Sequence, residues 1–160
     1  MNKIALITGA SHGIGASTAH KLAGLAYDIA LNYLGNHKAA ERVQAQVQEL
    51  GVQALLLPAD VSQEGAVVAM FGTIDHEMGC LDALVNNAGV LFEQTTVSEL
   101  SAEQINKVLA TNVTGPFLCC REAVKCMSTA QGGQGDAIVN VSSAAARLGA
   151  PGLNLHPNAR

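Results

Sequence analysis

The sequence predicts an α/β fold, in which a doubly wound parallel sheet of about five strands carries helices on both faces. Apolar strand signals alternate with helical periodicity from the first residues onward, and this alternation favours crossover connections and a parallel sheet. A glycine-rich turn directly follows the first strand. Polar residues follow the first, third, fourth and fifth strands, at the edge where right-handed crossovers place the ligand crevice of such a sheet.

Strand and helix signals alternate regularly in the first half of the chain. Small residues such as Ala19 allow the first helix to pack close to the sheet, and Val43 and Val47 share one face of the second helix. Gly51 ends that second helix, and Asp28 is interpreted as a turn residue ahead of the second strand. In order, we expect a strand at 3–8, a helix at 14–24, a strand at 29–33, a helix at 37–50 and a strand at 53–57.

The second half continues the same pattern. Ser62 is the predicted N-cap of a third helix, and Ser101 with Gln104 forms a capping-box pattern for a fourth. Gly115 and Pro116 indicate a break or a restart within the following helical stretch. In order, we expect a helix from 62 to 78, a strand at 83–85, helical segments from 101 to 111 and from 116 to 127, a loop at 132–135 and a strand at 137–141.

The composition is that of one compact domain. The chain has 160 residues, of which 49% are hydrophobic and 14% are charged, and such a chain buries a real core. The formal net charge of −4 argues against a nucleic-acid partner. We find no apolar run long enough to cross a bilayer and no secretory signal, because the first apolar stretch ends at Thr8. A cytoplasmic protein without a membrane contact is therefore expected.

The four cysteines lie at Cys80, Cys119, Cys120 and Cys126. None of them forms a C-x-x-C pair, and three fall on one predicted helix. Their spacing disfavours a metal site, so none is predicted. They are interpreted as buried small hydrophobes in a reducing cytosol.

The glycines Gly9, Gly13 and Gly15 follow the first apolar run and open the first helix. Glycine permits backbone angles closed to other residues, and its missing side chain lets a phosphate approach the main chain. The free N–H groups and the dipole at the start of the helix attract that anion. A tight turn from strand to helix is the alternative, but the position after the first strand of an α/β pattern favours a nucleotide.

Five motifs in this sequence resemble the short-chain dehydrogenase/reductase family over about residues 3–152. They are TGASHGIG (8–15), Asp60-Val61, NNAG (86–89), Thr111-Asn112-Val113 and IVNVSS (138–143). The resemblance implies a Rossmann-like fold and an NAD(P)-dependent oxidoreductase that transfers a hydride between nicotinamide and a carbonyl or alcohol substrate. It also implies an NAD(P)-binding domain at 1–152 and a divergent tail at 153–160.

The same resemblance implies the residues of the cofactor site. Asp60 matches the residue that meets the adenine amino group, although a plain helix cap is the alternative for it. Asn87, Ala88 and Gly89 match the segment along the cofactor's ribose, and Asn86 and Asn87 could also be turn residues. The full implied set is Gly9, Ser11, His12, Gly13, Ile14, Gly15, Tyr33, Asp60, Val61, Asn87, Ala88 and Gly89.

Two catalytic residues are implied by the same match. Asn112 matches the helical asparagine of the family's catalytic tetrad, where an irregular helix holds a water in a proton relay. An asparagine inside a helix competes with backbone bonding, and a solvent-facing side chain is the alternative. Ser143 matches the serine that would hydrogen-bond the substrate's carbonyl oxygen and stabilise the developing charge, whereas turn polarity after a strand is the alternative.

The resemblance favours NADP as the cofactor, with NAD as the alternative. NAD-preferring members carry an acid at the end of the second strand, where this chain has Asn32, Tyr33 and Leu34. NADP-preferring members often carry Arg where this chain has His12. Either His12 or Lys38 is a candidate for a 2′-phosphate contact, although neither has the planar fork of arginine.

The family's acid–base pair, a Tyr followed four residues later by Lys, does not occur in these 160 residues. His156 and Arg160 imitate the spacing, but Pro157 interrupts the segment. The chain is therefore interpreted as truncated before this motif, with the C-terminal part of the family fold missing and its catalysis impaired. Whether it is an enzyme stays open, and the alternatives are a non-catalytic dinucleotide-binding fragment or a defective truncated product. The implied partners are a small carbonyl or alcohol substrate and, in full-length members, further copies in a homo-oligomer.

Overall fold

The computed structural model describes residues 2–92, 96–131, 133 and 137–144. Five strands lie within these ranges: β1 (Lys3–Ile7), β2 (Tyr27–Tyr33), β3 (Ala54–Pro58), β4 (Ala83–Asn86) and β5 (Ala137–Asn140). The helices are α1 (Gly13–Ala23), α2 (His37–Gln48), α3 (Glu64–Glu77), α4 (Ala102–Leu109), a π-helical segment (Ala110–Thr114) and α5 (Gly115–Met127), with short 3₁₀ turns at Val97–Glu99 and Thr129–Gln131.

The five strands form one parallel sheet in the order β3-β2-β1-β4-β5. The chain starts at the centre with β1, runs outward to β3, and then crosses to β4 on the other side of β1. In the register of the sheet, Leu6 lies between Ala30 of β2 and Leu84 of β4. This topology confirms the predicted doubly wound α/β fold, and it places a switch point between β1 and β4.

Two hydrophobic clusters cover the two faces of the sheet. On one face, Leu6 and Leu84 pack with Met70 and Ile74 of α3 and with Ala123 of α5. On the other face, inward side chains of β1 and β2 pack against α1 and α2. The members of this second cluster include Ile7, Ile29, Leu31, Ala19, Ala23, Val43 and Val47.

Two local expectations are wrong. Asp28 is not a turn residue but lies inside β2, where its carboxylate accepts hydrogen bonds from Asn2 Nδ2 (3.0 Å) and the Gln53 amide (2.8 Å). These hydrogen bonds satisfy the Asp28 carboxylate, so that a polar residue can lie near the start of the strand. Ser62 is not an N-cap, because α3 begins at Glu64 after the extended residue Gln63, and the Ser62 amide donates to Asp60 Oδ1 instead (2.9 Å).

The helical stretch from 102 to 127 keeps its path through Gly115 and Pro116. Its start is confirmed, since Ser101 Oγ accepts from the Gln104 amide and Gln104 Oε1 accepts from the Ser101 amide. The expected restart falls at Gly115, where α5 begins. A π-helical turn joins α4 to α5, with the Gly115 amide donating to the carbonyl of Ala110 five residues back. Such turns are inserted without breaking a helix and occur often at functional sites.

The cysteine interpretation is correct only in part. Cys119 is buried and Cys120 is half-buried, both as free thiols on α5. Cys80 and Cys126, however, form a disulfide, because the end of α5 packs beside the turn before β4 and brings their Cα atoms to 5.8 Å. Among the residues that the structure describes, no group of three His, Cys, Asp or Glu side chains could hold a metal ion.

No helix in the described ranges combines the length and the apolar character needed to cross a membrane. The expected tail at 153–160 and the pair of His156 with Arg160 lie outside the described residues. The same holds for the expected loop at 132–135, apart from Gly133.

Candidate functional site

In the glycine turn between β1 and α1, two positions require glycine for different physical reasons. A Cβ on Gly15 would lie 2.5 Å from the carbonyl oxygen of Gly9 and 2.6 Å from Asn87 Nδ2, so this position is closed by packing. Gly13 has φ +56°, and a Cβ there would meet nothing within 4 Å. The turn is therefore closely packed at Gly15 and open at Gly13. An open main chain of this kind is what a ligand needs in order to approach the backbone.

Thr8 connects this turn to the segment after β4. Its buried Oγ1 accepts hydrogen bonds from the amides of Asn87 and Ala88, each at 2.9 Å. Asn87 returns the contact, because its Nδ2 donates to the carbonyls of Thr8 (2.9 Å) and Gly9 (3.1 Å). The side chain of Asn87 thus binds the neighbouring glycine turn rather than its own backbone, and the two segments form one rigid unit at the switch point.

Asn32 links the glycine turn to the strands on its other side, a role that was not predicted from the sequence. The residue is 1% exposed. Its Oδ1 accepts from the Gly9 amide (3.3 Å), and its Nδ2 donates to the carbonyls of Leu57 and Ala59. The sequence did contain a sign of this role, since an asparagine within an apolar strand places in the core an amide that needs hydrogen-bond partners. Through its bonds, Asn32 connects the ends of β1, β2 and β3.

Asp60 and Val61 follow β3, close to this connection. Asp60 Oδ1 accepts from the Ser62 amide, so this carboxylate organises the backbone ahead of α3, and the alternative of a local capping role stays open beside the adenine role. Val61 is buried in the cluster that contains Leu57. Both residues come shortly after β3 in the chain, and Val61 packs against Gly115 at the start of α5.

Ser11, His12 and Tyr33 complete the predicted set on this side of the sheet. Ser11 is buried and its Oγ lies 3.1 Å from Nδ1 of the exposed His12. Tyr33 is 4% exposed, and its hydroxyl is hydrogen-bonded to His37 Nδ1, whose other ring nitrogen lies 3.3 Å from Glu41 Oε1. The tyrosine ring is therefore held inside the fold, and the accessible groups here belong to His12 and His37.

A cavity of about 560 Å³ opens beside the glycine turn at the carboxyl ends of β4 and β5. It brings together Asn112 and Ser143, the two predicted catalytic residues, with the side chain of Ile14, which is 63% exposed. None of the described residues that line it carries a charged side chain. The predicted site residues that share this cavity are Ile14, Asn87, Ala88, Gly89, Asn112 and Ser143.

Asn112 lies within the π-helical segment, and both the oxygen and the nitrogen of its side-chain amide are hydrogen-bonded. Its Oδ1 accepts from the Val90 amide and its Nδ2 donates to the Val90 carbonyl, both at 2.8 Å. These bonds exclude the alternative of a solvent-facing side chain. They hold the segment that follows Gly89 against the helix, so the wall of the cavity depends on the irregular turn that carries Asn112.

Ser143 reaches the cavity from the segment after β5. Backbone pairing continues past the end of the strand, since the Val141 amide donates to the Asn86 carbonyl (2.9 Å). Asn86 Nδ2 also donates to Asn140 Oδ1 (2.9 Å) and to Cys120 Sγ (3.3 Å). This pair of asparagines aligns the ends of β4 and β5. The remaining predicted residues do not line the cavity. Five of them belong to the glycine turn and the start of α1, Tyr33 ends β2, and two follow β3: Gly9, Ser11, His12, Gly13, Gly15, Tyr33, Asp60 and Val61.

Comparisons with known proteins show the family to which the chain belongs. The model of the short chain dehydrogenase family matches residues 3–156. The uncharacterized oxidoreductase YgfF of Escherichia coli K12 is 58% identical over 149 residues, which are 93% of this chain and 60% of that protein. The 3-oxoacyl-[acyl-carrier-protein] reductase FabG of Staphylococcus aureus Mu50 is 37% identical over 95% of this chain and 60% of its own length.

A solved structure of NAD⁺-bound xylitol dehydrogenase superposes with a TM-score of 0.88 at 34% identity, covering 96% of this chain and 58% of that one. The chain thus spans about three fifths of the length of the relatives that it matches.

Proposed function

The chain belongs to the short-chain dehydrogenase family, and from that premise we propose that it binds a nicotinamide dinucleotide for hydride transfer to or from a carbonyl or alcohol carbon. The observation that carries the proposal is the junction of Thr8 with Asn87, which fixes the open main chain at Gly13 beside a cavity containing Asn112 and Ser143. Core packing alone gives no reason for this convergence of polar groups at the switch point.

The residues present fit a dinucleotide. The first turn of α1 contains no acidic residue, and its N-cap His12 makes no side-chain hydrogen bond to the helix. The amides at this helix start are therefore available to a pyrophosphate, with the helix dipole in the favourable sense. We expect Gly9 to Gly15 to hold the pyrophosphate, Asn87 to Gly89 to lie along a ribose, and Asp60 to meet the adenine.

The bound dinucleotide would supply the hydride donor or acceptor. The chain's own residues act on the substrate and its surroundings. Ser143 would donate its hydroxyl to the substrate's carbonyl oxygen, where negative charge develops. Asn112 would keep the cavity wall in place through Val90 and so position the substrate. Ile14 and the uncharged lining would limit the access of water to the reacting atoms once the ligands are bound.

A second function, dinucleotide binding without efficient turnover, is favoured for these 160 residues by themselves. Tyr27 and Tyr33 are followed four residues later by Leu31 and His37, and the Tyr33 hydroxyl is held by His37. Neither tyrosine is among the described residues that line the cavity, so neither is placed to serve as its acid–base group. Absence of such a group lowers a rate by a factor of about 10² to 10⁴.

We propose NADP rather than NAD as the preferred cofactor. The end of β2 carries Asn32 and Tyr33 and no carboxylate, and Asp28 is engaged at the opposite end of the strand. A carboxylate at the end of β2 would bind the 2′-hydroxyl and repel a 2′-phosphate. The exposed side chains of His12 and Lys38 add two groups that favour an anion.

We also propose a cytoplasmic homo-oligomer. The exposed apolar side chains on α5 and the π-helical segment support self-association, above all Phe117, which is 74% exposed.

Fluorescence titration of NADPH and NADH tests the binding proposal. The decisive variant is Gly13→Val, which places a branched side chain where the structure leaves the main chain open. The matched control is Gly51→Val, because Gly51 also has positive φ (+84°) and open space but lies between α2 and β3, away from the site. We expect at least a tenfold loss of NADPH affinity for the first variant only. Equal affinities in both would refute binding at this turn.

A further inference from the structure

The disulfide joins two segments at the end of the sheet opposite to the glycine turn. Cys80 precedes β4, and Cys126 lies in the last turn of α5. The two residues are 46 positions apart in sequence. The bond therefore closes residues 80–126, here named the β4–α5 unit, into one covalent loop. This loop contains Asn87, Gly89 and Asn112 of the candidate site.

The surroundings of the disulfide leave it accessible to small thiols. Cys80 is solvent-exposed and Cys126 is half-buried. A cavity of about 710 Å³ opens there, lined by both cysteines together with Leu81, Asp82 and Lys125. The Leu81 amide donates to Cys126 Sγ at 3.1 Å, so the sulfur has a fixed place in the fold. Accessible disulfides are the ones that exchange with solution thiols.

The other two thiols are placed differently. Burial, with a smaller contribution from the neighbouring Cys120, raises the pKa of Cys119 to about 12. It therefore carries almost no thiolate near neutral pH and does not compete in exchange. Cys120 lines the site cavity, and its Sγ accepts a hydrogen bond from Asn86 Nδ2. Asn86 ends β4, whereas Cys80 lies before the start of that strand.

We propose that Cys80 and Cys126 form a reversible thiol–disulfide switch that sets the stability of the β4–α5 unit. The oxidant is a low-molecular-weight disulfide, and oxidation takes two exchanges. The exposed Cys80 thiolate attacks one sulfur of the reagent, forms a mixed disulfide and releases one thiol. The Cys126 thiolate then attacks the Cys80 sulfur and releases the second thiol. The two cysteines lose two electrons, which reduce the S–S bond of the reagent, and their two protons end on the released thiols.

The switch acts on stability more than on cofactor affinity. A cross-link over this length removes conformational freedom mainly from the unfolded chain. The contacts proposed for the dinucleotide lie at the opposite edge of the sheet and are fixed by Thr8 and Asn32. Oxidised and reduced chains should therefore differ strongly in urea resistance and weakly in NADPH affinity. In a reducing compartment, disulfides of this kind are transient and redox-sensing.

The test compares the 160-residue chain after incubation with oxidised glutathione and after incubation with dithiothreitol. Intact mass should fall by two hydrogens on oxidation, and peptide mapping should identify Cys80 linked to Cys126. The urea midpoint should rise by about 1 to 2 M on oxidation. Cys80→Ser and Cys126→Ser should each abolish this difference between redox states, whereas the matched variant Cys120→Ser on the same helix should keep it.

Equal midpoints in the two redox states overturn the proposal, and so does a mapped pairing among Cys119, Cys120 and Cys126, which sequence proximity alone would favour. Where no cooperative urea transition is observed, the mapped pairing decides. NADPH titration of both states separates this proposal from the proposed function. Loss of NADPH binding in both states contradicts cofactor binding only, while the mass and mapping results still report on the switch.

Discussion

The β1–α1–β2 unit (residues 3–33) and the β4–α5 unit build opposite sides of the same site in different ways. In the first unit, the strand residues from Ile4 to Ile7 and the helix residues Ala19 and Ala23 are buried, and the polar groups at the turn are bonded within the fold. In the second unit, exposed apolar side chains form a row at helical spacing, with Leu109 (49%), Val113 (39%) and Phe117 (74%), whereas the first unit exposes Ile14 and Leu25 at separate places.

This difference assigns separate tasks to the two units. The first unit is a preorganised platform, because close backbone packing and buried hydrogen bonds leave it one geometry. The second unit positions Asn112 and the cavity wall through a π-helical turn and a pair of bonds to Val90. Substitutions in the platform should therefore act on global stability, whereas loss of the contact between Asn112 and Val90 in the second unit should act locally.

The largest effect is expected for Gly15→Ala in the platform. Its Cβ would lie 2.5 Å from the Gly9 carbonyl oxygen and 3.0 Å from Ala10 Cα, so backbone must move. We expect a loss of about 2 to 4 kcal/mol in the free energy of unfolding, measured by urea denaturation. Gly72→Ala is the matched control, since Gly72 lies inside α3 with open space around it and should gain about 0.5 to 1 kcal/mol. Equal stability of both variants would show that the platform does not depend on the close backbone packing beneath Gly15.

A moderate and local effect is expected for Asn112→Ala in the β4–α5 unit. The change removes both bonds to Val90 and leaves a half-buried amide and carbonyl without these partners. We expect a loss of about 1 to 2 kcal/mol in the free energy of unfolding and faster hydrogen exchange at the Val90 amide. NADPH affinity should change by less than about threefold, because the proposed cofactor contacts do not depend on these two bonds. The exchange control is Asn106→Ala, an exposed residue on α4. Faster exchange of the Thr8 and Gly9 region as well would show that the two units open together.

The sequence predicts the platform better than the second unit for physical reasons. The alternation of Ile4 to Ile7 with α1 and β2 follows local periodicity, and the topology confirms it. The role of Asn32 escapes sequence reasoning because its partners Leu57 and Ala59 become neighbours only in the sheet. The only indication in the sequence was the position of Asn32 itself, a polar residue among the apolar residues of β2, which implied that such partners must exist.

In the second unit, the decisive contacts are all long-range. The link from Cys80 to Cys126 depends on where α5 ends beside β4, which spacing does not specify. The bonds of Asn112 to Val90 depend on a π-helical turn that no periodicity reveals. The expected convergence of Asn112 with Ser143 came from motif resemblance, and their presence in one cavity supports it. Their catalytic roles stay predictions.

The smallest effect concerns Glu122, a buried carboxylate on α5 between Arg121 and Lys125. The hydrogen bond from Lys125 chiefly, and that from Arg121, hold the pKa of Glu122 below its ordinary value of 4.5. Because the folded-state pKa is lowered, the stabilisation is complete above the ordinary value and is lost as pH falls through the lowered one. Both cationic partners are largely exposed, so we expect no more than about 1 kcal/mol.

Urea midpoints of the parent chain and of Glu122→Gln, measured from neutral pH into the acid range, check this expectation. The gap between the two should be widest near neutrality and should narrow below the ordinary carboxyl pKa, since the amide that replaces the carboxylate cannot titrate. Glu49→Gln, at the exposed end of α2 in the other half of the molecule, should leave the profile of the parent unchanged. A gap that stays constant with pH would mean that Glu122 contributes through packing and not through its charge. The β4–α5 unit would then depend on its helix contacts and the disulfide without this ion pair.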